Sequence, residues 1–291
     1  MTRIMRRRCA VLVLALACAG TPATAGVLFD DFEAGPLGGV PTGWSDIATF
    51  DPTSTAPKPS ALVVGTTNGI GSPTRAVATA DMPVGPLPTT APARGIYRAI
   101  TASSFYSTSV DVRIDRFSDF TGFNCGCPPS LAAAFDSPML SGVVTAADPY
   151  FGPFVGIYAS AREQNWRLLV YTANVKAEFD LGVPITLGTW YGTQADLDVA
   201  TGTVHSRITD AATGATLGDV VTVLPASWDP AMDGVFDMAG YFGSELTSVK
   251  QAGLATIDNI RVSYTPVPET GALMLLASAL LSFGFVARRR L

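Results

Sequence analysis

Between residues 189 and 223 the sequence uses the same five-residue punctuation twice. Asp198-Val199-Ala200-Thr201-Gly202 is followed, twelve residues on, by Asp210-Ala211-Ala212-Thr213-Gly214. Each Asp-x-x-Thr-Gly lies between runs that alternate apolar and polar side chains. An aspartate can bond the backbone of a turn, and a glycine can take positive φ at a hairpin bulge. Two such turns around residues 203–209 predict a three-stranded antiparallel meander. On its first strand Tyr191, Thr193, Ala195, Leu197 and Val199 share one face. Trp190, Gln194, Asp196 and Asp198 share the other.

The rest of the body follows the same period of two, and helical periodicity is nearly absent. Val110, Val112 and Ile114 alternate with Asp111, Arg113 and Asp115, as in a half-buried antiparallel strand. Further strands are predicted over 154–160, 165–172, 235–242 and 255–264, with short ones at 61–64 and 75–80. Residues 51–95 and 121–153 read as loop-rich, the first because of its prolines. About a dozen short strands over residues 26–265 suit one all-β antiparallel sandwich of jelly-roll type rather than two domains.

Both ends differ from that body. Arg6-Arg7-Arg8, a short apolar stretch over 10–19 and Ala23-Thr24-Ala25 make residues 1–25 a secretory signal peptide, with cleavage between Ala25 and Gly26. At the other end, residues 266–291, Val267-Pro268-Glu269-Thr270 precedes an apolar run over 271–287. Arg288-Arg289-Arg290 follows it. Seventeen apolar or small residues sit at the lower limit of a transmembrane helix. The arginines would stay cytoplasmic and leave the body outside. Seven of the 19 basic residues and only one acid, Glu269, lie in these ends, so the body is more acidic than the net charge of −5 suggests. Such a body offers no basic patch for nucleic acid.

The Pro-Glu dipeptide, apolar helix and terminal arginines resemble the PEP-CTERM sorting signal of Gram-negative bacteria, with Thr270 where that motif usually has a second proline. The resemblance covers only about the last 25 residues. It implies sorting by an exosortase, a membrane cysteine transpeptidase, and cleavage near Pro268-Glu269. Signal peptidase and exosortase are the processing partners so implied. The location it implies is the cell envelope, cell surface or extracellular matrix, with transient anchoring in the inner membrane. Cys125-Gly-Cys127 lies in the exported body, where an oxidising compartment favours a local disulfide.

A second resemblance lies in the body. Trp190-Tyr191, Asp196-Leu197-Asp198, the Thr-Gly turns and Ile257-Asp258-Asn259-Ile260-Arg261-Val262 look like a concanavalin A-like lectin/glucanase jelly roll. Phe29-Asp30-Asp31-Phe32-Glu33 and Pro41-Thr42-Gly43-Trp44 fit its opening strand and loop. The resemblance implies that the first and last strands pair. A galactose-binding-like jelly roll is the alternative fold.

Catalytic spacing is missing. Glucanases of that family carry Glu-x-Asp-x-x-Glu, which sets two carboxyl groups about 5–5.5 Å apart. The glutamates of the body are isolated from one another, and Asp196 with Asp198 is the nearest approach to a pair. The only histidine, His205, shares its strand face with Arg207, and no Gly-x-Ser-x-Gly occurs. The expectation is a non-enzymatic protein, either glycan-binding or purely structural. The alternative is a glycoside hydrolase-like enzyme with an unrecognised site. Trp190, Asp196 and Asp198 are the candidate ligand residues, for an extracellular polysaccharide, because rings stack on sugars and carboxylates bond hydroxyls. No cofactor is required. Asp31, Glu33 and Asp258 are candidate ligands for a structural Ca²⁺ where the first and last strands meet.

Overall fold

The computed structural model describes residues 25–34, 37, 40–46, 62–65, 70, 75–79, 93–117, 137–145, 153–244 and 253–266. Residues 1–24, the Cys125/Cys127 pair and the Pro268, Glu269 and Arg288–Arg290 features lie outside them. Among the described residues no helix is long and apolar enough to cross a membrane.

Residues Gly26–Tyr264 form one unit of two antiparallel sheets packed as a sandwich. The larger sheet runs in the order β13 (Thr216–Val223), β12 (Thr203–Asp210), β11 (Trp190–Asp198), β6 (Ser103–Arg116), β15 (Leu254–Pro266), β4 (Ala76–Thr79), β3 (Leu62–Gly65). A further strand, β1 (Gly26–Asp30), pairs with β15. The smaller sheet runs β10 (Lys176–Pro184), β9 (Asn165–Tyr171), β8 (Phe154–Ala159), β7 (Leu140–Val144), β14 (Met238–Ser244), β5 (Ala93–Ala99), β2 (Ser45–Asp46).

The doubled turn motif does what its chemistry allows. Asp198 Oδ1 accepts from Ala200 N at 3.0 Å and Thr201 N at 3.2 Å, with Gly202 at φ 61°. Asp210 Oδ1 accepts from Thr213 N at 2.9 Å, with Gly214 at φ 73°. The meander β11–β12–β13 follows, with a register shift between Ile208 and Thr209 where β12 pairs with β13. Inward side chains from both sheets make one core. Val110, Val112, Ile114, Leu197, Val204 and Ile208 face Val155, Ile157, Leu168, Val170 and Tyr241. Trp166 meets Tyr191 edge-on, with ring centroids 5.5 Å apart, an arrangement the ring quadrupoles favour. Trp44 and Trp166 are buried in this core, so they are packing residues.

First and last strands pair antiparallel, from Gly26↔Tyr264 to Asp30↔Ile260. The Ile-Asp-Asn-Ile motif is a bulge within the last strand. Ile257 and Ile260 both point into the core although three residues apart, which requires one extra residue between them. Asn259 takes that place at φ 49°, a left-handed conformation that asparagine tolerates better than most residues. At that point β15 changes partner, from β4 to β1. The Asp30-Asp31-Phe32 motif makes a similar local break. Asp30 accepts from Phe32 N at 2.8 Å and from Trp44 Nε1 at 2.7 Å. Those bonds hold Phe32 at φ 58° with its ring buried.

Two segments depart from the sequence expectation. Leu140–Val144 is a strand inside what reads as a loop-rich insertion, and β8 is buried on both faces. Alternation vanishes where both faces are covered, so the usual signal is lost. The strand expected at 235–242 starts at Met238, because Asp229 and its neighbours form a turn held by Asp233.

Candidate functional site

The solvent-facing side of the larger sheet carries ordered rows of polar side chains. Strand register sets them: Asp196 lies opposite Ser107 and His205, Gln194 opposite Ser109 and Arg207, Gly192 opposite Asp111 and Thr209. Trp190 lies opposite Arg113. Because Gly192 has no side chain, its row sinks into a cleft of about 160 Å³. Ser109, Asp111, Gln194, Arg207, Thr209 and Asn259 line it around that floor. A Cβ at Gly192 would sit 2.5 Å from Thr209 Oγ1 and 3.3 Å from Asp111 Oδ1, which measures how closely the rim approaches.

The rim atoms divide into used and unused groups. Asn259 Nδ2 donates to Asp111 Oδ2 at 2.9 Å. Among the described residues Asp111 Oδ1 and Asn259 Oδ1 have no hydrogen-bond partner. Burial pushes the Asp111 carboxyl above the usual carboxylate range, against the Asn259 bond that lowers it. Thr209 Oγ1 donates to Gly192 O at 3.3 Å. Arg207 Nε donates to Asp219 Oδ2 at 3.2 Å, and its two Nη groups have no protein acceptor among the described residues. The cleft therefore offers acceptors at one wall and a donor fork at the other, which suits a small polyhydroxylated ring.

Beside the cleft runs a chain of charges. Gln194 Nε2 lies 3.0 Å from both oxygens of Asp196, which also accepts from Ser107 Oγ. His205 Nδ1 stands 3.9 Å from Asp196 Oδ2, and His205 Nε2 bonds Asp219 Oδ1. The His205 bond, opposed by a little burial and reinforced by Arg207, holds the Asp219 carboxyl below its ordinary value.

The candidate residues from the sequence land in different places. Trp190 and Asp196 border the cleft on its own sheet face. The guanidinium of Arg113 lies over the Trp190 ring, 5.2 Å from the centroid. Asp198 is spent on its turn, away from the cleft. Asp31, Glu33 and Asp258 each accept a backbone N–H. Asp31 Oδ1 accepts from Glu33 N and lines a separate hollow with Phe29 and Thr42. Glu33 accepts from Arg75 N at 2.8 Å. Asp258 is buried and accepts from Asn259 N and Ile70 N. Among the described residues no group of three His, Cys, Asp or Glu is placed to hold a metal. Burial pushes Asp258 up to about 6, with the charges of Asp111 and Glu33 adding to it and the two backbone N–H groups opposing it.

Asp111, Gly192, Arg207 and Asn259 were not singled out by sequence reasoning. The one available signal was Gly192, a glycine inside an alternating strand and on its polar face, which marks a weak spot or a close approach.

No family model and no curated protein matches this sequence. Solved structures do match in shape. A basic winged bean lectin with Tn-antigen aligns over 82% of this chain and 98% of that one, with TM-score 0.50 and 10% identity. Cellulose induced protein Cip1 covers 82% and 98%, at TM-score 0.48 and 15% identity. Lectin II from Ulex europaeus covers 82% and 98%, at 0.47 and 6%. The fold is thus an antiparallel β-sandwich of the jelly-roll type that lectins share. At such identities the likeness concerns the fold, and the chemistry rests on this chain's own residues.

Proposed function

We propose that this protein is an exported, non-catalytic glycan-binding β-sandwich of the cell surface or extracellular matrix, sorted by an exosortase through its C-terminal tail. One observation carries the binding reading. The Gly192 cleft gathers the unpartnered oxygens of Asp111 and Asn259 and the free guanidinium edge of Arg207 on a solvent-facing sheet. Hydroxyls that donate to Asp111 and Asn259 while accepting from Arg207 describe a sugar ring. Arg207 is already neutralised by Asp219, which favours a neutral sugar over an acidic one. The lectin-like neighbours agree with a carbohydrate role without naming the sugar. A non-enzymatic role is supported by the lining itself: among the described residues that line it Asp111 is the one carboxylate, Asp196 bordering it is engaged by Gln194 and Ser107, and glycoside hydrolysis ordinarily needs two.

Glycan-array binding by the purified protein tests the reading. Gly192→Val, which fills the floor, should abolish binding while far-ultraviolet circular dichroism stays unchanged. Asp111→Asn should weaken it by about tenfold or more, the effect of losing a charge-assisted hydrogen bond. Reducing-end release from bound polysaccharide should stay at background, and turnover lost in Asp111→Asn would make the protein an enzyme instead. Intact-mass analysis of the exported protein tests sorting: a mature form that still ends at Leu291 in the native host would overturn the exosortase reading.

A further inference from the structure

His205 sits where three strands bring charge together. Asp196 faces it from β11, and Asp219 reaches it from β13. Val221 lies directly opposite on β13, and Arg207 follows two residues along on the same face of β12. Asp198 is the next acid along β11. Both ring nitrogens therefore look toward carboxylates, and each carboxylate holds a residue that lines the cleft. Asp219 holds Arg207 through Nε, and Asp196 holds Gln194 through Nε2.

We propose that His205 is a proton-operated control of the Gly192 cleft, acting as a positioning residue through Asp219 on Arg207 and through Asp196 on Gln194. The imidazolium donates from Nε2 to Asp219, which it shares with Arg207, and pairs its charge with Asp196 from Nδ1 at 3.9 Å, so the guanidinium is free to lean into the cleft. Neutral imidazole has one N–H to give. Arg207 is then the sole cation on Asp219 and is drawn back toward it. Ligand affinity accordingly falls as the imidazole loses its proton. The effect is modest, about threefold, because the groups are partly exposed. This inference rests on the cleft being the binding site, but the proton-driven movement of Arg207 can be read without any ligand.

The single histidine makes the test clean. In the full-length protein, ¹⁵N-histidine labelling reports His205 alone. ¹⁵N-arginine labelling reports Arg207 Nε–H, assigned with Arg207→Lys. The expected result is one shared midpoint for the imidazole and the Arg207 signal, with the Arg207 transition lost in His205→Gln. An Arg207 signal that is flat across the imidazole transition, or that still moves in His205→Gln, overturns the proposal. Exopolysaccharide purified from the producing strain is the binding probe, used on both sides of the midpoint. Weaker binding on the alkaline side in the wild type but not in His205→Gln supports control of the cleft. Equal binding on both sides with Arg207 moving overturns it. No binding on either side, with Arg207 moving, supports the coupling and counts against the glycan reading.

Discussion

The two sheets share one core, yet their outer faces treat the absence of a side chain in opposite ways. On the larger sheet Gly192 leaves an open cleft with a polar rim. On the smaller sheet Gly142 and Gly156 lie opposite each other, with Gly240 beside Gly142 in the next strand. That trough is filled: an added Cβ at either Gly142 or Gly156 would come within 3 Å of the Phe154 ring. Val144, Phe154, Tyr158, Leu169 and Met238 form a second buried cluster there, with Tyr97, Leu140 and Tyr171 packed against it. Even its polar members turn inward: the buried Tyr158 hydroxyl bonds Glu178, and burial together with that acceptor raises its pKa. One face thus spends its missing side chains on packing, and the other on access. A glycine in a strand is read correctly only when its cross-strand neighbours are known.

The sharpest way to break this contrast is to fill both troughs. Gly156→Ala would place a methyl 2.0 Å from Ser141 O and 2.7 Å from the Gly142 Cα, where only backbone movement gives relief. The expected cost is about 3 kcal/mol or more in urea denaturation. If Gly156→Ala is tolerated, the smaller sheet's trough is not packed as described.

The second prediction uses the buried acid behind the open face. Asp258 carries a raised pKa of about 6, so the native state binds its proton more tightly than the unfolded chain does. Below about pH 4 both states are protonated and the burial penalty is absent. Stability should then fall by about 2 kcal/mol as the pH rises to about 7. Chemical denaturation across that range should show the slope, and Asp258→Asn should flatten it.

Gly192→Ala makes the gentle counterpart to the first substitution. Its methyl meets the Thr209 hydroxyl, a side chain able to rotate, so the cost should be about 1 kcal/mol or less by the same urea measurement. Smallest of all is the response to calcium. Because Asp31, Glu33 and Asp258 each accept backbone N–H groups, millimolar Ca²⁺ should leave the melting temperature unchanged against a chelator control. A rise of several degrees would restore the three-acid site to consideration.

How much was legible follows from the range over which each signal acts. The Asp-x-x-Thr-Gly turns and the alternation of β11 act over a few residues, and both were readable. The pairing of first and last strands was readable only through the resemblance carried by the Ile-Asp-Asn-Ile motif. Strand β7 was hidden because its two covered faces erase the alternation. The cleft was hidden for a different reason. Asp111, Gly192, Arg207 and Asn259 meet only after β15, β6, β11 and β12 are set side by side, and no local pattern announces that register. The surroundings of His205 were hidden likewise, because its two carboxylate neighbours come from other strands.

The pairing of Gly26–Asp30 with the last strand also constrains how the chain reaches its native state. Strand β1 has its partner only once residues 260–264 exist, so the first of the described strands waits for the last of them. Such closure is costly in loop entropy and slow, and an unpaired strand edge invites other chains meanwhile. Exposed Val27 and Phe29 make that edge an apolar one. Until that last strand is available the edge stays unpaired, an interval in which aggregation competes with closure of the sandwich.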